Sequence, residues 1–206
     1  MNQQVYTHTY YGTLPYLEEI PAGFDHASAP LLVFLHGAGE RGKDTSLLYR
    51  QAIPKYLQGG LTLPCITVCP QCPEEYVWND ILPWVKDFLE FYIASHDIDR
   101  KRVSLTGISM GGFGSWAMVM TYPDMFHKIA PICGGGMSWR AANIKAPIWA
   151  FHGDADGCVP VESSYQMVDA AIPCGKDARL TIFHKVEHNS WDPAYQTTKV
   201  LEWLCS

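Results

Sequence analysis

The sequence predicts one α/β domain over residues 1–206, with a doubly wound, mostly parallel sheet and helices on both faces. Three observations predict it. Short continuous apolar runs recur, the pattern of strands buried on both faces. Segments with apolar residues at helical spacing fall between them. One junction between a run and a helix is the glycine-rich Gly107-Ile108-Ser109-Met110-Gly111, placed at a strand end, where sites of such sheets lie.

Residues 14–20 read as an early strand, ended by Pro21-Ala22-Gly23. Residues 31–35 are wholly apolar and stop at His36-Gly37-Ala38-Gly39. Residues 65–69 form a second such run, closed by Pro70. Leu82, Val85, Phe88, Leu89 and Tyr92 predict a helix over residues 81–94. A turn at 97–100 leads to a strand at 102–106. A helix over 111–121 ends at Tyr122-Pro123. Strands follow at 129–133 and 148–151, then a helix at 161–171 behind Pro160, which suits a first helical turn. Residues 180–183 are the last strand and 193–204 the closing helix. This gives about six core strands. Residues 1–11, polar and aromatic, are assigned no element.

Composition narrows the function. Apolar residues make up 48% and charged residues 17%, so the chain folds around a core. With a formal net charge of -6 there is no basic footprint, and nucleic acid is not an expected partner. No stretch is long and apolar enough to span a bilayer, and no signal peptide is visible. The 7 cysteines are odd in number and dispersed through apolar segments. Reduced, buried thiols and a cytoplasmic location are therefore expected. Oligomeric state is not legible.

In Gly107-Ile108-Ser109-Met110-Gly111 a serine sits between a strand and a helix, flanked by residues small enough for a sharp turn. That makes Ser109 the candidate nucleophile. A serine hydroxyl needs a base, and the base an orienting acid, in the chain order Ser, Asp or Glu, His. Asp154 and Asp156 compete for the acid. Asp156 is favoured because it sits further into its loop, whereas Asp154 is better placed to bond local amides. His188, beyond the last strand, is the candidate base, and His184 at the strand end is packed or surface-facing. The oxyanion donors are assigned to the amides of Met110 and Ala38, with Gly37 the alternative to Ala38.

Five segments in order carry a resemblance: residues 34–42 around His36-Gly37-Ala38-Gly39, Cys69-Pro70-Gln71-Cys72-Pro73, residues 107–112, His152-Gly153-Asp154-Ala155-Asp156 with Val159-Pro160, and His188-Asn189-Ser190-Trp191. Together they resemble the phospholipase/carboxylesterase and dienelactone hydrolase-like branch of the α/β-hydrolases, whose bacterial members are often labelled esterases or predicted peptidases. The resemblance implies an α/β-hydrolase fold. It also puts nucleophile, acid and base on Ser109, Asp156 and His188, and the oxyanion donors on Ala38 and Met110. One departure is Glu187, where similar members often have glycine; it can perturb the base or point to solvent.

Other motifs carry less. His184-x-x-Glu187-His188 matches a zinc pattern, but it continues a strand where the motif needs a helix. Cys69-x-x-Cys72 has redox spacing without the helix such a pair opens. No metal and no cofactor are expected. The short connection over residues 134–146 leaves no room for a large lid. Trp78, Trp139 and Trp191 fall in loops on the site side. Trp78, Trp191 and Gly37 are the candidate pocket residues.

The expected function is hydrolysis of small-molecule carboxylic esters, with short acyl or aryl groups, through an acyl-enzyme on Ser109. A peptidase or acyl thioesterase would use the same triad. A ligand receptor on a hydrolase scaffold is the alternative of another class.

Overall fold

Apolar runs with nothing to expose become the middle of a sheet, and here they do so in register. The computed structural model describes residues 1–23 and 29–206. Its strands are Asn2–His8 (β1), Gly12–Glu19 (β2), Leu31–Leu35 (β3), Ile66–Pro70 (β4), Val103–Ile108 (β5), Lys128–Ile132 (β6), Ile148–Gly153 (β7) and Ala178–Phe183 (β8). They form one 8-stranded sheet in the order β1-β2-β4-β3-β5-β6-β7-β8. β1 and β2 pair antiparallel, β2 is antiparallel to β4, and all later pairings are parallel.

The α-helices are Ala52–Gln58 (α1), Leu82–Ser95 (α2), Met110–Thr121 (α3), Glu162–Ala171 (α4), Trp191–Thr197 (α5) and Val200–Cys205 (α6). They divide between the two faces, and β3 shows how. Leu31, Val33 and Leu35 pack into one apolar cluster with Phe88 of α2, Met118 of α3 and Met167 of α4. Leu32 and Phe34 point the other way, toward Ile53 of α1, Tyr195 of α5 and Leu201 of α6. Period-two alternation in an all-apolar strand thus builds two cores, each closed by helices.

This topology fixes where a site can lie. From β3 the chain crosses to β4 on one side; β5 returns to the other side of β3. Between the C-terminal ends of β3 and β5 the connections diverge and leave a crevice. Residues 36–40 and the turn after β5 both open into it. The connection between β6 and β7 carries only the six-residue 3-10 helix Ser138–Asn143, so no large lid covers that edge.

Three elements differ from the expectation. β1 shows a single buried side chain, Tyr6, so its pairing rests on backbone bonds that leave no apolar alternation to read. α1 is only seven residues long and contains Pro54. The closing helix over 193–204 is in fact two, α5 and α6. Thr198 divides them: its Oγ1 donates to the Ala194 carbonyl at 2.6 Å and accepts from the Val200 amide at 3.2 Å. A threonine that caps one helix and starts the next competes with helix continuation. Among the described residues no helix is long and apolar enough to cross a membrane.

Candidate active site

Ser109 stands between β5 and α3 with φ 53 and ψ -117, a backbone conformation side chains other than glycine rarely adopt. The turn is held on both sides. The Ser109 amide donates to the Ile132 carbonyl at 3.0 Å and faces Cys133 Sγ at 3.3 Å. The flanking glycines are required by close approach: a Cβ on Gly107 would lie 2.3 Å from the Gly111 carbonyl oxygen, and one on Gly111 1.9 Å from that of Leu35. The strand, the turn and α3 are therefore pressed together, and the Ser109 side chain is left partly exposed above them.

His188 lies on the loop after β8, and Asp156 on the loop after β7. The structure brings both to Ser109. His188 Nε2 is 2.8 Å from Ser109 Oγ, and His188 Nδ1 is 2.7 Å from Asp156 Oδ2. The carboxylate can only accept, so the ring proton sits on Nδ1 and the Nε2 lone pair faces the serine hydroxyl. Asp156 Oδ1 accepts from the amides of Cys158 at 2.8 Å and Val159 at 2.9 Å. Burial works to raise the Asp156 carboxyl. The bonds from His188, Val159 and Cys158 outweigh it and hold the group below its ordinary value.

The rival carboxylate is placed otherwise. Asp154 accepts from His184 Nδ1 at 2.7 Å and from the Lys185 amide at 2.6 Å, tying the end of β7 to the turn after β8. His184 is exposed, and so is Glu187. Residues 184–185 form a turn in which Lys185 has φ 58 and residues 186–188 are not helical, so the two histidines do not share a helix face.

Ala38 opens the 3-10 helix Ala38–Glu40 and Met110 opens α3. The amide of a first helical residue has no partner within its own helix. The loop carrying Ala38 is fixed from below by His36, which is fully buried. Its Nδ1 donates to the Gly37 carbonyl at 2.6 Å and its Nε2 accepts from the Cys72 amide at 2.9 Å. Acceptance at Nε2 requires a neutral ring, and burial pushes His36 down to about 4.

One hollow reaches Ser109 and a second lies beside its neighbour Met110. The first, of about 170 Å³, is bordered by Gly37, Ala38, Ser109, His188 and Trp191. Trp191 meets the His188 ring edge-on, with centroids 5.5 Å apart. The other, of about 490 Å³, is apolar and bordered by Val77, Asn79, Met110 and Phe113. Trp78 corrects the sequence expectation: it is 0% exposed and walls neither hollow. Its indole N–H donates to the His36 carbonyl at 2.9 Å, and its Cβ packs where Gly114 leaves room. A buried carbonyl offered its one polar atom a partner, so the ring supports the loop from beneath. Trp139 is exposed and borders neither hollow.

Sequence reasoning also missed Phe113, Val77, Cys133 and His152. Phe113 was findable, four residues beyond Ser109 and so one helical turn on. Among the described residues, Cys133, Asp156 and His188 offer ligand atoms within 4.8 Å of one another. Burial raises the Cys133 thiol to about 12, so it keeps its proton, while Asp156 and His188 hold each other. Hydrogen bonding accounts for that cluster without an ion. Cys69 and Cys72 are both buried, with Cys72 Sγ directed at the Tyr76 carbonyl at 3.4 Å.

Residues 70–196, more than half of the chain, match the model of the dienelactone hydrolase family. The chain belongs to that family. The match spans β5, the Ser109 turn, α3 and the loops that carry Asp156 and His188. The chain is 32% identical over 139 residues to poly(3-hydroxyalkanoate) depolymerase C of Paucimonas lemoignei, covering 60% of this chain and 32% of that protein. It spans about a third of that curated relative's length. A thermostable esterase of known structure superposes with a TM-score of 0.86 at 32% identity, over 98% of this chain and 62% of that one. Esterase PE8 superposes with a TM-score of 0.65 at 23% identity, over 86% and 94%, which speaks to fold alone. This dienelactone hydrolase family member is thus an α/β-hydrolase with esterase and depolymerase relatives.

Proposed function

We propose that the protein is a serine hydrolase that cleaves carboxylic esters through an acyl-enzyme on Ser109. The observation that carries this reading is the continuous chain Ser109–His188–Asp156, with links of 2.8 and 2.7 Å, on a turn whose serine is held at positive φ. In the first half-reaction His188 Nε2 takes the hydroxyl proton as Ser109 Oγ attacks the ester carbonyl. Asp156 stabilises the imidazolium that results. The amides of Ala38 and Met110 receive the oxyanion, each worth about 3 kcal/mol. His188 then returns the proton to the leaving alkoxide. In the second half-reaction water, activated by the same ring, frees the acid and restores the serine.

The apolar hollow beside Met110 supports a short acyl or aryl group as the larger substituent, and the smaller hollow by Gly37 and Trp191 takes the other. The thermostable esterase at 32% identity favours ester over amide. The test is steady-state hydrolysis of p-nitrophenyl acetate and butyrate beside the matching p-nitroanilides. Turnover of the esters at least 100-fold above the anilides supports the reading. Equal or faster anilide cleavage replaces it with a peptidase, and no turnover of either returns it to a binding role.

A further inference from the structure

Asp156 accepts three hydrogen bonds that the reading above already uses: one from His188 and two from backbone amides. An ionised carboxylate has room for about four. The fourth position, on Oδ2, is faced by a second histidine. His152 Nε2 lies 3.2 Å from Asp156 Oδ2 and 3.0 Å from the Val159 carbonyl oxygen. Both neighbours only accept, so the Nε2 of His152 carries a proton and points it between them.

The other side of the ring meets a hydroxyl. His152 Nδ1 lies 2.7 Å from Ser164 Oγ, which also sits 3.0 Å from the Gly134 carbonyl. Burial disfavours the charged ring. With its proton on Nε2 the neutral ring leaves Nδ1 an acceptor, so the one Ser164 hydroxyl proton lies between Nδ1 and the Gly134 carbonyl, the nearer of which is Nδ1. The two side chains are at most 1% exposed, so water does not supply these contacts. His152 is the penultimate residue of β7 and Ser164 lies in α4, so the acid is braced by two regular elements rather than by its loop alone.

We propose that His152 is a positioning residue: it donates to Asp156 Oδ2, fixes the carboxylate against His188, and is itself held by Ser164. This rests on the proposed roles of Ser109, Asp156 and His188. It gives the histidine of His152-Gly153-Asp154-Ala155-Asp156 a task its spacing did not reveal. The side chains that face the Asp156–His188 pair are His152 from β7, Cys133 after β6 and Ser109 from its turn, and Cys158 meets Asp156 through its backbone amide.

A hydrogen bond to a charged group is worth about 1.5–3 kcal/mol, or roughly 10- to 100-fold in rate. His152→Phe keeps the ring volume without the donor, and His152→Gln keeps an N–H within reach. The readouts are kcat and KM for p-nitrophenyl butyrate across pH, and the rate at which a fluorophosphonate labels Ser109. Circular dichroism verifies folding. Expected for His152→Phe is a kcat and a labelling rate 10- to 100-fold lower, an unchanged KM, and an acid limb of kcat/KM moved to higher pH, because the carboxylate has lost a competing donor. His152→Gln recovers most of both rates. If His152→Phe does not fold, Ser164→Ala is read instead, with a smaller loss in the same two rates.

Wild-type rates in a folded His152→Phe, or an equal loss in His152→Gln, overturn the assignment. A wild type that labels with the fluorophosphonate but turns over no ester removes the ester reading while the labelling rates still decide the role of His152. A wild type that neither labels nor turns over overturns both.

Discussion

Gly111 approaches Leu35 so closely that a Cβ would stand 1.9 Å from the Leu35 carbonyl oxygen. This contact joins the end of β3 to the first turn of α3, and so sets the loop of residues 36–40 against the Ser109 turn. Gly111→Ala requires backbone movement there. The expected result is a loss of about 2 kcal/mol or more in denaturant unfolding, with reduced soluble yield. Unfolding indistinguishable from wild type would mean that the two segments are less tightly joined.

Trp78 supports the loop of residues 36–40 and borders neither hollow. Trp78→Phe removes the indole N–H that serves the His36 carbonyl and leaves a void beside Gly114. We expect a destabilisation of about 1–3 kcal/mol. KM for p-nitrophenyl butyrate should change by less than about threefold. A large rise in KM with stability intact would restore Trp78 as a pocket wall.

Of the 7 cysteines, Cys158 and Cys174 are exposed and the others are buried. A thiol reagent at pH 8 should titrate two groups rapidly in the native protein and seven after denaturation. Mass mapping should place the rapid pair at Cys158 and Cys174. Cys133, raised to about 12 by burial beneath Ser109, should react only on unfolding. Early modification of Cys133 would show that the Ser109 turn opens in the native state.

The Asp156 carboxyl lies below its ordinary value of 3.8 in the folded protein. A depressed carboxyl stabilises the fold above its unfolded value, and that stability is lost as pH falls through the folded value. Below about pH 4 the wild type should therefore lose Tm faster than Asp156→Asn, measured by thermal melts from pH 7 to 3. At neutral pH the same variant should lower kcat by about 10⁴-fold, because a neutral amide in place of the carboxylate would favour the wrong His188 tautomer. Parallel Tm curves would show that Asp156 is not held as an ion.

Much of this was legible in the sequence because the decisive signals are local. An all-apolar Leu31–Leu35 is a strand buried on both faces, and a serine between Gly107 and Gly111 at a strand end must turn sharply. The chain order of Ser109, Asp156 and His188 brought the three residues together on paper, and the fold places them within hydrogen-bond reach. What was not legible depends on partners distant in sequence. Asn2–His8 pairs through its backbone and buries only Tyr6, so no period marks it. Trp78 was expected at the pocket because loops on that side line sites, but it is drawn under the loop by a carbonyl 42 residues away. His152 reads as the first residue beyond a strand over 148–151, and only packing brings it to Asp156 and Ser164.

The central proposal is an acyl-enzyme on Ser109, and the most direct measurement is hydrolysis of p-nitrophenyl butyrate by the wild type and by Ser109→Ala, each verified as folded. Rapid wild-type turnover that falls by about 10⁴-fold or more in the variant is the predicted result. A folded Ser109→Ala that keeps wild-type turnover would contradict it and move the nucleophile elsewhere.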